Sequence, residues 1–382
     1  MDKAFIANRI REERERCGLR QEDVAKYMNW NASKHSIVGE VEAGNREVKA
    51  WELYKLAQLF QIRTEDFFKE SIQESPLVLW RKKPKENAVL KERKFLQRCE
   101  DYGFLEEVLG KKLLVPRALP RYTLDIHSSD KKWANDIADN LRKELSLGDF
   151  PVNILAKTLE EHYGVRFLVL SLGKEDKYGS AACTVDNFGP AILLNSDECI
   201  TRQIFSIAHE LFHMITWDKN FFKTILSDQK LNKKNEYLAN VFAAGLLLPE
   251  EGLRQQIRHL NEDDSIQYST IMAIAREYGV SIQTLLYRLE FLGLVNQEFV
   301  DNSLADPLFQ SSIREKGRKS YSNQTQIGDR FIRIAYLAYQ FGKISRSRFA
   351  RLVDTSLVSL ESFLASHGLM EIDNEKTRLG NS

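Results

Sequence analysis

The sequence predicts a multi-domain protein: an all-α N-terminal unit, an α+β middle region with a small antiparallel sheet, and an all-α C-terminal region. Length is the first ground, because 382 residues exceed what one ordinary hydrophobic core organises. Periodicity is the second. Apolar positions recur at helical spacing up to about residue 70, whereas three short apolar runs bounded by Gly, Asp or Asn follow one another from residue 165 to 195. Composition is the third: 43% apolar, 29% charged and a net charge of +1 describe a soluble globular chain. No run reaches the roughly 18 apolar residues of a membrane span, and "MDKAFIANRIREERERCG" lacks the apolar core of a signal peptide. Four cysteines without C-x-x-C pairing argue against a thiolate zinc cluster and a disulfide scaffold alike. The expectation is a cytoplasmic, reduced protein that meets no membrane.

Residues 1–70 read as four or five short helices. "FIANRIREERERCG" stops at Gly18, "RQEDVAKYM" starts at Gln21, "SIVGEVEAGNR" breaks at Gly44-Asn45, and "KAWELYKLAQLFQI" carries Trp51, Leu53, Leu56, Ala57, Leu59 and Phe60 as its apolar positions. Residues 71–120, Pro-punctuated and then amphipathic, read as a helical linker. Its polar face suits a solvated spacer or a dimer contact. Between 121 and 295, "KWANDIADNLRKELSLG" and "PVNILAKTLEEHYG" are helical, the second with Pro151 at its start. "VRFLVLSLG", "GSAACTVD" and "GPAILLN" then suggest an antiparallel meander. Further helices follow, one ended by Pro249 and two arranged around Gly279. The last region, 296–382, opens with a polar, weakly patterned stretch to about Gly328. Helices with turns at Gly342 and near Asp354 come next.

One stretch carries chemistry. In "IFSIAHELFHMITW", His209 and His213 stand four apart on an apolar helix and share a face, so both imidazoles can reach one ion. Glu210 lies about 100° round the helix, beside such an ion, where its carboxylate can take a proton from water. The plain alternatives are a coincidental match and a buried pair without metal. A catalytic zinc site needs a third ligand from another element. Glu236 is the best candidate, because "NEYLANVFAAGLLLP" places it with Asn240 and Ala243-Ala244 on one stripe of a helix. An acid on such an inner stripe needs a partner. Asp218 and Asp228 in loops, and Glu250 and Glu251 after a proline, are the alternatives.

The run "RQIFSIAHELFHMITW", preceded by "AILLN" and followed by "NEYLANVFAAGLLLPEE", closely resembles the ImmA/IrrE family of metallopeptidases; "GVSIQTLLYRLEFLGLV" matches that family's closing helices, and the resemblance covers about residues 130–295. It implies a zincin-like metallopeptidase fold, with His209, His213 and Glu236 as ligands and Glu210 as general base. It also implies zinc as the cofactor, with manganese acceptable to the same donors. Phe212 stands where the family has glycine, which implies a narrower cleft rim, and Leu238 replaces a second family glutamate. The implied reaction is metal-assisted amide hydrolysis of a protein substrate such as a helix-turn-helix repressor. Tyr237 and Tyr178 are the candidates to stabilise the oxyanion.

Residues 5–68 resemble an Xre-type helix-turn-helix domain through "LRQEDVAKYM" and the "EAG" that closes its third helix. The resemblance implies that Ser33, Lys34, His35 and Ser36 reach base edges of double-stranded DNA and that Arg46 and Lys49 meet phosphates. The turn "NWNAS" is about three residues longer than usual for that fold. Residues 1–70 hold 13 Lys+Arg and 13 Asp+Glu, so no basic excess drives phosphate binding. Protein interaction or homodimerisation by the same fold stays open beside DNA reading. "RFIRIAYLAYQFGKISRSRFARLVDTS" resembles a C-terminal segment of long members, with Arg346, Arg348 and Arg351 on a solvated or, alternatively, nucleic-acid-facing surface. The expected function is a site-specific zinc metalloendopeptidase that cleaves a regulatory protein in a stress or mobile-element response, coupled to its helix-turn-helix module. The alternative is a DNA-binding or antitoxin-like regulator in which the peptidase fold senses or scaffolds.

Overall fold

Left-handed backbone at Gly18 and Gly44 (φ +67° and +78°) punctuates the N-terminal helices, since a residue without Cβ enters that region at no steric cost. The computed structural model describes residues 3–30, 36–69, 76–84, 86–110, 117–173, 181–185, 189–260, 266–307, 309 and 328–370. Its chain divides into two compact units, residues 1–78 with 83–101 and residues 79–82 with 102–382.

In the first unit, helices α1 (Lys3–Arg16), α2 (Gln21–Tyr27), α3 (Ser36–Glu42) and α4 (Ala50–Phe60) precede a 3₁₀ turn at Thr64–Phe68. Ile10, Val24, Val38, Val41, Leu56 and Phe60 form its buried centre. Its evenly balanced charges are spent on one another. Arg14 grips Glu42 through Nε (2.6 Å) and Nη2 (3.1 Å), joining α1 to α3. Buried Glu13 is paired with Arg93 at 2.6 Å. Glu52, 1% exposed, accepts from the Lys49 N–H at 2.9 Å and from Arg46 Nη2 at 2.7 Å, capping α4. Trp51, expected on the apolar face, is half exposed instead; the buried stripe of α4 runs through Leu53, Leu56, Ala57 and Phe60.

The second unit is built on a four-stranded sheet: β1 (Leu79–Trp80), β2 (Arg166–Leu170), β3 (Ala181–Thr184) and β4 (Ala191–Asn195), in the order β1-β3-β4-β2. The expected all-antiparallel sheet is corrected here. β2 pairs parallel with β4, Phe167 opposite Ile192, while β3 is antiparallel to β4 and β1 antiparallel to β3. All five residues of β4 are buried, the pattern of an inner strand covered on both faces. Short apolar runs cannot reveal which neighbour each strand takes. β1 itself comes from the stretch read as linker.

Helix α5 (Ala88–Val108) is shared between the units in sequence. There follow α6 (Lys131–Glu144), α7 (Leu155–Tyr163), α8 (Ile200–Ile215), α9 (Lys219–Ser227), α10 (Gln229–Leu247), α11 (Glu250–Leu260), α12 (Tyr268–Glu277), α13 (Ile282–Phe291) and α14 (Gln297–Ala305). The last falls in the stretch expected to be weakly patterned; its N-cap is Asn296, whose Oδ1 accepts from Phe299 N–H at 2.8 Å. Helices Asp329–Gln340, Arg346–Leu352 and Leu360–Ser366 complete the described chain. Among the described residues no helix is long and apolar enough to cross a membrane.

Two contacts set the position of α10. A Cβ at Gly245 would lie 3.0 Å from Asn135 Oδ1 and 3.2 Å from Ala138 Cβ, so glycine there lets α10 lie close on α6. Arg288 of α13, 2% exposed, donates to Asn135 Oδ1 (2.6 Å) and to the Leu248 carbonyl (3.1 Å). These bonds stitch α13 to α6 and to the end of α10.

Candidate active site

Helix α8 opens on half-buried residues and is enclosed from Ser206 onward, packing on β3, β4 and α10. Every residue from Ser206 to Ile215 is buried. Enclosure carries His209, Glu210 and His213 into the interior, each at most 1% exposed. Phe212 does not line a cleft rim as expected. It is fully buried, edge-on to the Trp133 ring at 6.2 Å and tilted against Phe242 at 5.5 Å.

Helix α10 delivers the third group. Nε2 of His209 lies 3.1 Å from Glu236 Oε2, Nε2 of His213 lies 3.3 Å from Glu236 Oε1, and the two Nε2 atoms are 3.2 Å apart. The structure thus brings His209, His213 and Glu236 to one point, as a set of groups able to hold a metal ion. The other acids do not join them. Asp218 and Asp228 cap α9 and α10 by accepting from two backbone N–H groups each, and Glu250 is paired with Arg254 at 2.7 Å. Glu251 is exposed at the start of α11.

Asn240, one turn beyond Glu236, sets the tautomer of His209. Its Oδ1 lies 3.0 Å from His209 Nδ1 and also accepts, at 3.4 Å, from Nη2 of Arg81. An oxygen facing both groups requires the proton of His209 on Nδ1, which leaves Nε2 as a bare lone pair turned toward a carboxylate. Burial lowers the pKa of His209 to about 4, so the ring is neutral. Burial would raise Glu236, but its close approach to the imidazoles of His213 and His209 holds it well below the usual carboxylate range. For His213 burial again works downward and is outweighed by Glu236 and Glu210. Nδ1 of His213 faces the Asn235 side-chain amide at 3.4 Å.

Glu210 stands apart from this cluster. Neither of its buried oxygens has a hydrogen-bond partner among the described residues, and burial, the main cause, raises its pKa to about 7. Its charge and burial together push the thiol of Cys183 in β3 well above the ordinary value. A carboxylate poised near neutrality, buried and with unfilled acceptor positions, is suited to proton transfer.

A cleft of about 810 Å³ opens beside Glu236 and Asn240, between the first turns of α8, the middle of α10 and α13. Tyr237 lines it and is half exposed. Tyr178 lies outside the described residues. Sequence reasoning missed Arg81, which enters this cleft from the end of β1. Its Nη1 lies 3.2 Å from Ser206 Oγ and its guanidinium 5.2 Å from the Phe205 ring centre. Asn240 was legible as a neighbour of Glu236 on the stripe, and its spacing of four was the available signal.

Of the residues expected at DNA, Ser36, Arg46 and Lys49 fall among the described residues. Ser33, Lys34 and His35 lie outside the described residues, and Ser36 is the first residue of α3. Arg46, expected at a phosphate, pairs with Glu52 and lies 4.8 Å over the Trp30 ring. Lys49 is exposed. Arg348 of the C-terminal basic segment stacks 3.9 Å from the Phe104 ring centre.

A small mixed sheet, a buried His-Glu-x-x-His helix and an acid from the next long helix make the class a metallopeptidase-like domain. Residues 160–290 match the family model described as IrrE N-terminal-like domain, Peptidase_M78. No curated protein matches the chain.

Proposed function

We propose that this protein is a site-specific zinc metalloendopeptidase that cleaves a regulatory protein. The convergence of His209 Nε2, His213 Nε2 and both Glu236 oxygens carries the proposal. The donor–donor spacings of 3.1, 3.2 and 3.3 Å agree with the edge of about 3.3 Å that a tetrahedron with 2.0–2.1 Å bonds would have. Bare lone pairs face one another there with too few protons between them, and a divalent cation relieves that repulsion. Two imidazoles and a carboxylate accept zinc or manganese; zinc is the ion proposed.

When bound, the cation supplies Lewis acidity toward the scissile carbonyl and lowers the pKa of water. The rest falls to the chain. Asn240 and Arg81 keep the His209 proton on Nδ1. Glu210 takes a proton from the attacking water and passes it to the leaving amine nitrogen. Burial under β3, where Cys183 is its neighbour, keeps bulk water from Glu210. Tyr237, at the cleft, has a hydroxyl for the developing oxyanion. The first unit is proposed to be an Xre-type helix-turn-helix module spanning residues 1–70. It would direct the peptidase, in the cytoplasm, to DNA or to a helix-turn-helix repressor in a stress or mobile-element response.

The competing reading is a DNA-binding regulator with an inert peptidase fold. It gives no reason for Glu210, because a buried carboxyl with both oxygens unpartnered costs stability, on the order of 1–3 kcal/mol, and packing alone does not require it. The test is incubation of the zinc-loaded protein, and of Glu210→Gln, with helix-turn-helix repressors from the same source. Cleavage at one bond by the first alone is the expected outcome. Equal cleavage by both, or none by either, overturns the proposal.

A further inference from the structure

Arg81 is a partly buried cation without a carboxylate. Its two hydrogen-bond acceptors are neutral oxygens, Ser206 Oγ at 3.2 Å and Asn240 Oδ1 at 3.4 Å. Among the described residues it forms no ion pair. Burial, the largest influence, draws its pKa down against the pull of Glu210, Glu236 and Glu198. A charge withdrawn from water with no carboxylate in contact is costly unless something brings a closer counter-charge.

The rest of the cleft has the same sign. Lys82, Lys131 and Arg202 line it with Arg81, and the acids there are Glu236 and Glu290. Glu236 is committed to the two imidazoles, so the excess is cationic before any metal adds to it. Walls of low dielectric focus such a field into the cleft.

We propose that this cleft is an acidic-side-chain subsite: the substrate presents an Asp or Glu next to the scissile bond, and Arg81 receives it. The inference rests on the peptidase reading and adds the substrate's chemistry. The arriving carboxylate replaces water at the open side of the guanidinium, while Ser206 and Asn240 hold the opposite side and fix its direction. Lys82 and Lys131 at the rim steer acidic segments inward and reject basic ones.

The test uses the full-length, zinc-loaded Glu210→Gln protein and fluorescein-labelled peptide pools of one apolar framework, with Glu, Gln or Lys at alternate positions. Binding is read by fluorescence anisotropy, and cleavage of the same pools by the wild-type protein in parallel. The Glu pool is expected to bind roughly tenfold more tightly than the Gln pool, with the difference shrinking as salt rises. Arg81→Ala in that background should erase the preference, and Arg81→Glu should transfer it to the Lys pool. Zinc content and circular dichroism accompany each variant. Should the Arg81 variants fail to fold, exposed Lys82→Glu carries the test, with a preference reduced about threefold expected. Equal binding of all pools, no binding of any, or a preference that survives these variants overturns the inference. Cleavage without charge preference removes the inference and leaves the peptidase. Charge-selective binding without wild-type cleavage removes the peptidase reading and leaves the subsite.

Discussion

Asn240 Oδ1 lies 3.0 Å from His209 Nδ1, one turn along α10 from the carboxylate that meets the other nitrogen of the same ring at 3.1 Å. A single helix therefore addresses both edges of the imidazole, orienting the ring and providing its neighbour. Asn240→Leu is expected to weaken zinc binding by about 10–100-fold. Asn240→Asp, which keeps an acceptor, should stay near wild type. Competition against a colorimetric chelator measures both.

Glu210 lies outside the group of His209, His213 and Glu236, and in the proposed reaction it moves protons. Glu210→Gln should keep the zinc stoichiometry while lowering the rate of cleavage by about 10²–10⁴-fold. His213→Ala should lose both zinc and cleavage. Elemental analysis beside single-turnover cleavage separates the two outcomes.

Removing the ion should loosen the fold around α8 and α10. A ligand at a thousand times its Kd stabilises the folded state by about 4 kcal/mol. Chelation is therefore expected to lower the unfolding temperature of the second unit by several degrees, reversibly on readdition of zinc. His213→Ala, which cannot grip the ion, should show no response. Differential scanning calorimetry provides the measurement.

Away from the cleft, burial raises the pKa of Glu160 to about 7, against the opposing charges of Arg330 and Arg333. The folded state thus holds this proton more tightly than the unfolded chain, whose carboxyl titrates near 4.5. Stability from the neutral form is complete below about pH 4.5 and is lost as pH rises through about 7. Glu160→Gln should match wild type at the acid end and exceed it by about 1–3 kcal/mol above neutrality. Urea midpoints at the two ends check the sign.

Arg46 and Lys49, paired in the sequence reading as phosphate contacts, should separate by experiment. Arg46→Ala leaves the 1%-exposed Glu52 without its guanidinium and is expected to destabilise the first unit by about 1–3 kcal/mol. Lys49→Ala on the surface should change stability by less than about 0.5 kcal/mol. A loss of DNA affinity on Lys49→Ala at unchanged stability would support a phosphate contact there, and chemical denaturation beside a gel shift reads both.

What sequence disclosed follows from how locally each feature is encoded. His209 and His213 are four apart on one helix, and the helical repeat alone places them together. Glu236 could be singled out because an acid beside Leu238, Val241 and Phe242 needs a partner. Arg81 could not: it meets Ser206 across 125 positions of chain, after a strand only two residues long. The parallel pairing of β2 with β4 was equally hidden, because apolar runs reveal burial and not partnership. Arg46 is the reverse case: as a basic residue in a helix-turn-helix pattern it looked free, and its pairing with Glu52 was not legible from sequence.

Residues 79–82 belong to the second unit, yet the chain on both sides of them, 1–78 and 83–101, belongs to the first. A recombinant fragment started at residue 121, where sequence alone places the catalytic domain, would discard both Arg81 and the strand that covers the outer edge of β3. That edge would then offer unpaired amides and carbonyls to any neighbouring copy, so the trimmed fragment should precipitate or stack more readily than the intact chain.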